Sequence, residues 1–204
     1  PISYTTASNN NTSRTLTTTV SDSVASDVTT TSTINITAVN DAPTVTAPTS
    51  FTVTEDVASN LVYTGTPFAD VDSTNLTVTL SISEGTITGN AGTGITVGGT
   101  ATARTFTGTV TNLNTYFTTS GKITYTTASN NNTSRTLTTT VSDGVASDVT
   151  TTSTIDITAV NDAPTLSAVN TIIGTNSGVN GTAYTITYDA LLAASDAYDV
   201  DGDA

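Results

Sequence analysis

Along much of the chain, apolar residues alternate with hydroxyl-bearing ones. The clearest stretch sets Leu76, Val78, Leu80 and Ile82 against Thr77, Thr79, Ser81 and Ser83. A period of two sends the two sets to opposite faces of an extended strand, so one face is core and the other is wet. The same alternation predicts strands around Phe51 and Val53, Ile123 and Tyr125, and Ile155 and Ile157. Clusters of Gly, Asn and Ser, such as residues 89–94, supply the turns between them. One segment departs from the pattern: Val110, Leu113 and Phe117 stand at i, i+3 and i+7, which predicts a single short helix with Thr111 as its N-cap. Phe51, Tyr63, Phe68, Phe106, Phe117 and Tyr125 are the aromatics available to a core.

A second, longer period organises the chain. Residues 2–44 reappear as 123–165, an offset of 121, and only Ser3/Thr124, Ser23/Gly144 and Asn35/Asp156 differ. Each copy ends in Ala-Val-Asn-Asp-Ala-Pro-Thr, at 38–44 and 159–165, where proline ends a strand and stiffens a short linker. The division that follows is a complete repeat at 41–161. It is preceded by the C-terminal part of another repeat at 1–40 and followed by the N-terminal part of a diverged one at 162–204.

Composition sharpens the fold class and narrows the chemistry. About a quarter of the residues are Thr, whose β-branched side chain favours strands over helices, so an all-β protein is expected. Cys, Met and His are absent, which removes disulfides, thiolate metal sites and the commonest nucleophile and general base. The formal charge of −13, from 17 acids against Arg14, Arg104, Lys122 and Arg135, argues against nucleic acid and anionic membrane surfaces as partners. No apolar run approaches the roughly 20 residues of a membrane span, so membrane insertion is not expected. The first residues lack the basic start and apolar core of a secretory signal, so any export signal is expected to lie outside this sequence.

Acidic residues gather near the linkers. Asn40 and Asp41 lie in the join, Glu55 and Asp56 follow the first strands, and Asp70 and Asp72 flank Val71. Calcium takes six to eight oxygen ligands and can draw them from separate loops, and a strand-like Asp-x-Asp aims both carboxylates one way. The same residues also suit turns, where Asp and Asn bond nearby backbone, and acids keep a Thr-rich surface soluble. Both readings stand at this point. Asp199, Asp201 and Asp203 with Gly202 echo an EF-hand loop only loosely, because the glycine falls fourth rather than sixth.

Taken together, Val141-Ser142-Asp143-Gly144, the run from Thr154 to Pro164, Gly108-Thr109-Val110-Thr111-Asn112-Leu113-Asn114 and Ile123-Thr124-Tyr125-Thr126 resemble the cadherin-like tandem repeats of giant bacterial adhesins and biofilm matrix proteins. The resemblance covers the whole repeat and both flanking pieces. It implies tandem immunoglobulin-like Greek-key β-sandwiches with one short helix per repeat and Ca2+ bound between consecutive repeats. Carried over residue by residue, it assigns Asn40, Asp41, Glu55, Asp70 and Asp72 as metal ligands, with Asn161, Asp162, Asp199 and Asp201 serving the following junction. The sequence departs from the family at Ala38 and Ala159, where an acid is usual, and has no Asp-Arg-Glu-like motif between Tyr116 and Ile123. Fewer acids imply fewer or weaker ions. Asp143 reads as a turn residue ahead of Gly144.

The expected role is therefore a structural or adhesive extender in a large secreted surface protein. Its partners would be the neighbouring repeats of the same chain. A second reading makes it a segment of an extracellular filament or biofilm matrix fibre, packed against identical chains. A third is a carbohydrate-binding module, with Tyr63, Tyr184, Tyr188 or Tyr198 stacking on sugars. Catalysis is not expected, because the only near acid pairs, Glu55 with Asp56 and Asp70 with Asp72, are better explained by junction ligation.

Overall fold

The computed structural model describes residues 1–165 together with Asp189 and Tyr198. Within them the chain is built from strands and one helix, in the order β1 (Arg14–Val20), β2 (Val28–Ile34), β3 (Thr44–Val45), β4 (Ser50–Thr54), β5 (Ser59–Asn60), β6 (Phe68–Ala69), β7 (Asn75–Ser81), β8 (Thr86–Gly89), β9 (Ile95–Gly99), β10 (Ala103–Thr109), α1 (Val110–Thr118), β11 (Ile123–Thr126), β12 (Arg135–Ser142) and β13 (Val149–Thr158).

The alternation seen in the sequence becomes a burial pattern. Leu76, Val78 and Leu80 of β7 are buried, while Thr77 and Thr79 between them face outward. The main sheet has six strands in the order β4-β13-β12-β7-β10-β9, and a three-stranded sheet runs β5-β11-β8. All neighbours are antiparallel except β4, which lies parallel to β13 with Thr54 opposite Thr158. A short pair, β3 with β6, sets Thr44 opposite Ala69. Leu80, Phe106, Leu137 and Ile155 of the large sheet share one core with Ile87, Ile123 and Tyr125 of the small one. The result is an all-β sandwich.

The helix completes that core. Leu113, Tyr116 and Phe117 are its buried residues, and Phe117 meets Tyr63, Phe68 and Phe106 edge-on at centroid distances of 5.1, 4.8 and 5.2 Å. Such pairs contribute about 1 kcal/mol each beyond their buried area. The N-cap is Thr109 rather than the expected Thr111. As the last residue of β10, Thr109 keeps an extended backbone, from which Oγ1 accepts from Asn112 N at 3.2 Å. Asn114 then acts as a surrogate strand: its Oδ1 accepts from Phe68 N and its Nδ2 donates to Phe68 O, both at 2.9 Å. Gly108 is fixed by proximity, since a Cβ there would lie 2.6 Å from Gly94 O. All six expected core aromatics are buried. Tyr116, which the sequence pattern did not single out, joins them with its hydroxyl donating to Asn90 O at 2.6 Å.

The duplicated segment appears in two settings. β1 and β2 pair in the register Arg14↔Ile34, and β12 and β13 repeat it as Arg135↔Ile155. In the second setting Leu137 and Val141 are fully buried. In the first their counterparts Leu16 and Val20 are 48% and 68% exposed, because β1 and β2 form a sheet of their own. Thus 41–161 encloses a complete core, while 1–40 supplies a hairpin and the linker.

Candidate functional site

At the end of the sandwich where the linker enters, four side chains, those of Asn40, Asp70, Asp72 and Asp143, and the backbone of Asp41 are joined. Asn40 donates from Nδ2 to Asp143 Oδ2 at 2.7 Å and to Asp41 O at 2.9 Å. Asp41 N donates to Asp72 Oδ2 at 2.8 Å. Asp70 Oδ1 accepts from Asp72 N at 2.8 Å and from Ser73 N at 2.6 Å, closing a turn. These positions follow from topology. Pairing of Thr44 with Ala69 brings residues just before β3 beside those just after β6, and the β12–β13 turn lies at the same end.

Asp143 was read as a turn residue alone, and it has two roles. Its Oδ1 accepts from Val145 N and Ala146 N, both at 2.9 Å, which shapes the turn, and its Oδ2 holds Asn40. The Asn40 hydrogen bond, followed by that from Val145 N, holds its carboxyl below the usual Asp range. A clue was present in the sequence: a hairpin turn preceding the last strand must lie at the end of the sandwich opposite to that strand's exit.

Glu55 does not belong with this group, contrary to the expected ligand set. Its backbone N donates to Thr158 O at 2.9 Å, and its buried carboxylate accepts from Val160 N through Oε2 at 3.2 Å. Thr158 ends the ten-residue β13, whose other end adjoins the Asp143 turn. At about 3.3 Å per residue that separates Glu55 from Asn40 by roughly 30 Å. Glu55 therefore shares the exit end with Asn161 and Asp162, where Asn161 Nδ2 donates to Asp162 O at 3.0 Å, as Asn40 does to Asp41 O. The parallel pairing of β4 with β13 carries Glu55 there.

Asp199 and Asp201 lie outside the described residues. Their neighbour Tyr198 is described: Thr165 N donates to Tyr198 O at 2.8 Å and Tyr198 N returns to Thr165 O at 3.0 Å. Thr165 is the copy of Thr44, which pairs with Ala69. Tyr198 thus stands in the place of Ala69, and in sequence the Asp-x-Asp of 199–201 follows it as 70–72 follows Ala69.

Among the described residues no three acidic side chains converge as a ready-made metal cage. The entrance group nonetheless fits a hard cation in its donors, all oxygen, and in one atom: Asp70 Oδ2 is shielded from solvent and has no hydrogen-bond partner. A buried carboxylate oxygen without a donor is costly unless a ligand reaches it. Asp72, Asp41 and Asp143 present further carboxylates at the same end. Of the residues considered for sugar stacking, Tyr63 is buried in the core, which removes it; Tyr198 is exposed, and Tyr184 and Tyr188 lie outside the described residues. No helix among the described residues is long and apolar enough to cross a membrane.

Neither models of known protein families nor the curated proteins give a match to this chain.

Proposed function

We propose that the chain is an extender segment of a large secreted bacterial surface protein, made of tandem cadherin-like Greek-key sandwiches whose junctions bind Ca2+. Residues 41–161 are one complete repeat, and 1–40 and 162–204 belong to its neighbours. The role is structural or adhesive rather than catalytic. The strand order β4-β13-β12-β7, with β4 parallel to β13, suits an immunoglobulin-like connection of this kind. The observation that carries the reading is the meeting of linker and sandwich at Asn40, Asp41, Asp70, Asp72 and Asp143, with Asp70 Oδ2 left without a donor.

Asp41, Asp70, Asp72 and Asp143 would hold the ion at the entrance end, and Glu55, Asn161 and Asp162, with Asp199 and Asp201 of the next repeat, at the exit end. The ion neutralises carboxylates that would otherwise repel one another. Residues of this chain do the rest: Asn40 anchors the linker to the β12–β13 turn, and the Asp41 backbone docks on Asp72. Binding that requires the ordered junction stabilises it by mass action. Extracellular modules bind calcium at about 10⁻⁴–10⁻³ M, so stiffening operates where calcium is abundant.

Small-angle scattering and thermal melting of the whole chain, with calcium and with EDTA, test this. The expected outcome is a longer maximum dimension and a higher Tm with calcium. Superimposable scattering curves and equal melting temperatures would refute it.

A further inference from the structure

The complete repeat is closed by residues 123–158, three strands laid on a body formed by residues 45–121. β11 lies between β5 and β8, β12 along β7, and β13 along β4. Four polar contacts seat them. The Tyr125 hydroxyl donates to Glu84 O at 3.1 Å and Arg135 Nη2 to Glu84 Oε2 at 2.6 Å, while Thr139 Oγ1 meets the Tyr63 hydroxyl at 2.7 Å and Ser153 Oγ donates to Pro48 O at 2.5 Å. Each seating residue has an identical copy upstream, in Tyr4, Arg14, Thr18 and Ser32. Of the three positions that differ between the copies, none is buried in the closed repeat.

The upstream copies have no such seat. Ile2 and Tyr4 are exposed where Ile123 and Tyr125 are buried, the same reversal that separates Leu16 from Leu137 and Val20 from Val141. Arg14 reaches only Ser13 O, at 3.5 Å, and among the described residues it forms no ion pair, whereas its copy Arg135 meets Glu84. The outer edges of β1 and β2 correspond to those that β12 and β13 present to β7 and β4, and both are unpaired. The described residues thus hold two closing segments and one body. Open strand edges beside an exposed apolar face form a template for strand pairing, and the identical segment at 123–158 shows which surface fits it.

We propose that residues 2–37 dock on the 45–121 body of a second copy of this chain, in the place of that copy's 123–158, so that copies join by strand exchange. Glu84 of the second copy receives Arg14, its Tyr63 receives Thr18, and its core receives Leu16 and Val20. Docking on the body of the same chain is barred by length. Thr37 would lie where Thr158 does, beside Thr54, and β3 begins seven residues later at the opposite end of the sandwich. Seven residues span at most about 25 Å, and the ten residues of β13 separate those ends by roughly 30 Å. In a second copy no return is needed, because residues 38–44 leave the body as their copies 159–165 do. The contacts are the same before and after exchange, so concentration sets the balance. A chain's own segment is tethered to its body, and exchange grows as neighbouring copies approach the millimolar effective concentration of such a tether.

The test separates the two closing segments by charging one buried leucine in each. Leu137 is fully buried against the body, and an unpaired carboxylate there expels the chain's own segment. Circular dichroism and analytical ultracentrifugation over a range of concentrations are applied to Leu137→Asp, to Leu16→Asp and to the double variant. Leu137→Asp is expected to remain folded and to sediment as two or more linked copies, with a mass that rises with concentration. Leu16→Asp alone is expected to fold as the parent does, without that concentration dependence, and the double variant to lose its folded signal. If Leu137→Asp is unfolded to the same extent with and without Leu16→Asp, the upstream segment closes no body and the inference is overturned. A folded, strictly monomeric Leu137→Asp would overturn it equally, since no second copy is then used.

Discussion

Asn40 Nδ2 donates to Asp143 Oδ2 at 2.7 Å across 103 positions of sequence, which fastens the linker to the turn between β12 and β13. It ties the segment that precedes β3 to the far end of the large sheet. Its acceptor is a carboxylate, so it carries a pH dependence of known sign.

The Asn40 bond and the backbone donors hold the Asp143 carboxyl below its ordinary value. A depressed carboxyl contributes stability that is complete above the unfolded value, near pH 3.9, and is lost as pH falls through the lower folded value. The linker therefore loosens from the turn only below about pH 4. Following the Asn40 side-chain amide resonances by NMR on acidification locates the transition, and it is absent in Asp143→Asn. A midpoint above the ordinary Asp value would contradict the assignment.

The two ends of the sandwich should respond separately to calcium. Asp72 belongs to the entrance seam and Glu55 to the exit, roughly 30 Å away along β13. Because the chain has no cysteine, dyes attached at Ala25→Cys and Ser83→Cys report the entrance seam by energy transfer. Calcium is expected to narrow the distance distribution in the parent, to lose that effect in Asp72→Asn, and to keep it in Glu55→Gln. Equal loss in both variants would place Glu55 at the entrance after all.

The substitution between the copies at the hairpin turn is a built-in experiment. Gly144 has φ of 79° and open space around it, while its counterpart Ser23 holds φ of 67°. A side chain in the left-handed region costs about 1 kcal/mol, partly offset because glycine loses more freedom on folding. Gly144→Ser should lower the stability of the complete repeat by about 0.5–1 kcal/mol in urea unfolding, with an unchanged m-value. A neutral or stabilising result would show that the turn relaxes around serine.

Much of the fold was legible because strand alternation is a local signal. Leu76, Val78 and Leu80 declare their buried face without knowledge of any partner, and Phe117 declares the helix by its spacing from Val110 and Leu113. The cap was misplaced by two residues because Thr109 and Thr111 are chemically alike, and only the strand ending at Thr109 decides between them. The candidate site was legible as a list of acids but not as an arrangement. Which acids meet depends on β4 running parallel to β13, a pairing between residues about a hundred positions apart that sends Glu55 to the exit and leaves Asp72 at the entrance. Asp143 escaped because a turn residue and a linker anchor share one sequence signature.

Tyr63 and Thr139 give the sharpest test of the core. Their hydroxyls meet at 2.7 Å, with both residues buried between the sheets. Removing one partner strands the other: Tyr63→Phe leaves Thr139 Oγ1 without a partner, and Thr139→Val does the same to the Tyr63 hydroxyl, each at about 1–3 kcal/mol. Replacing both removes the polar pair altogether, so the double variant is expected within about 1 kcal/mol of the parent, a strongly non-additive cycle. Burial also pushes the Tyr63 hydroxyl well above its ordinary value. A raised value means stability that is complete below the unfolded value, near pH 10, and declines as pH climbs toward the folded one, since only the unfolded chain ionises there. Tyr63→Phe should therefore flatten the alkaline loss of stability. It should not abolish it, because burial raises Tyr116 and Tyr125 in the same direction. Urea unfolding of the four proteins at neutral and alkaline pH measures both effects, and additive single variants or an unaltered alkaline slope would show that the two hydroxyls do not meet in the folded core.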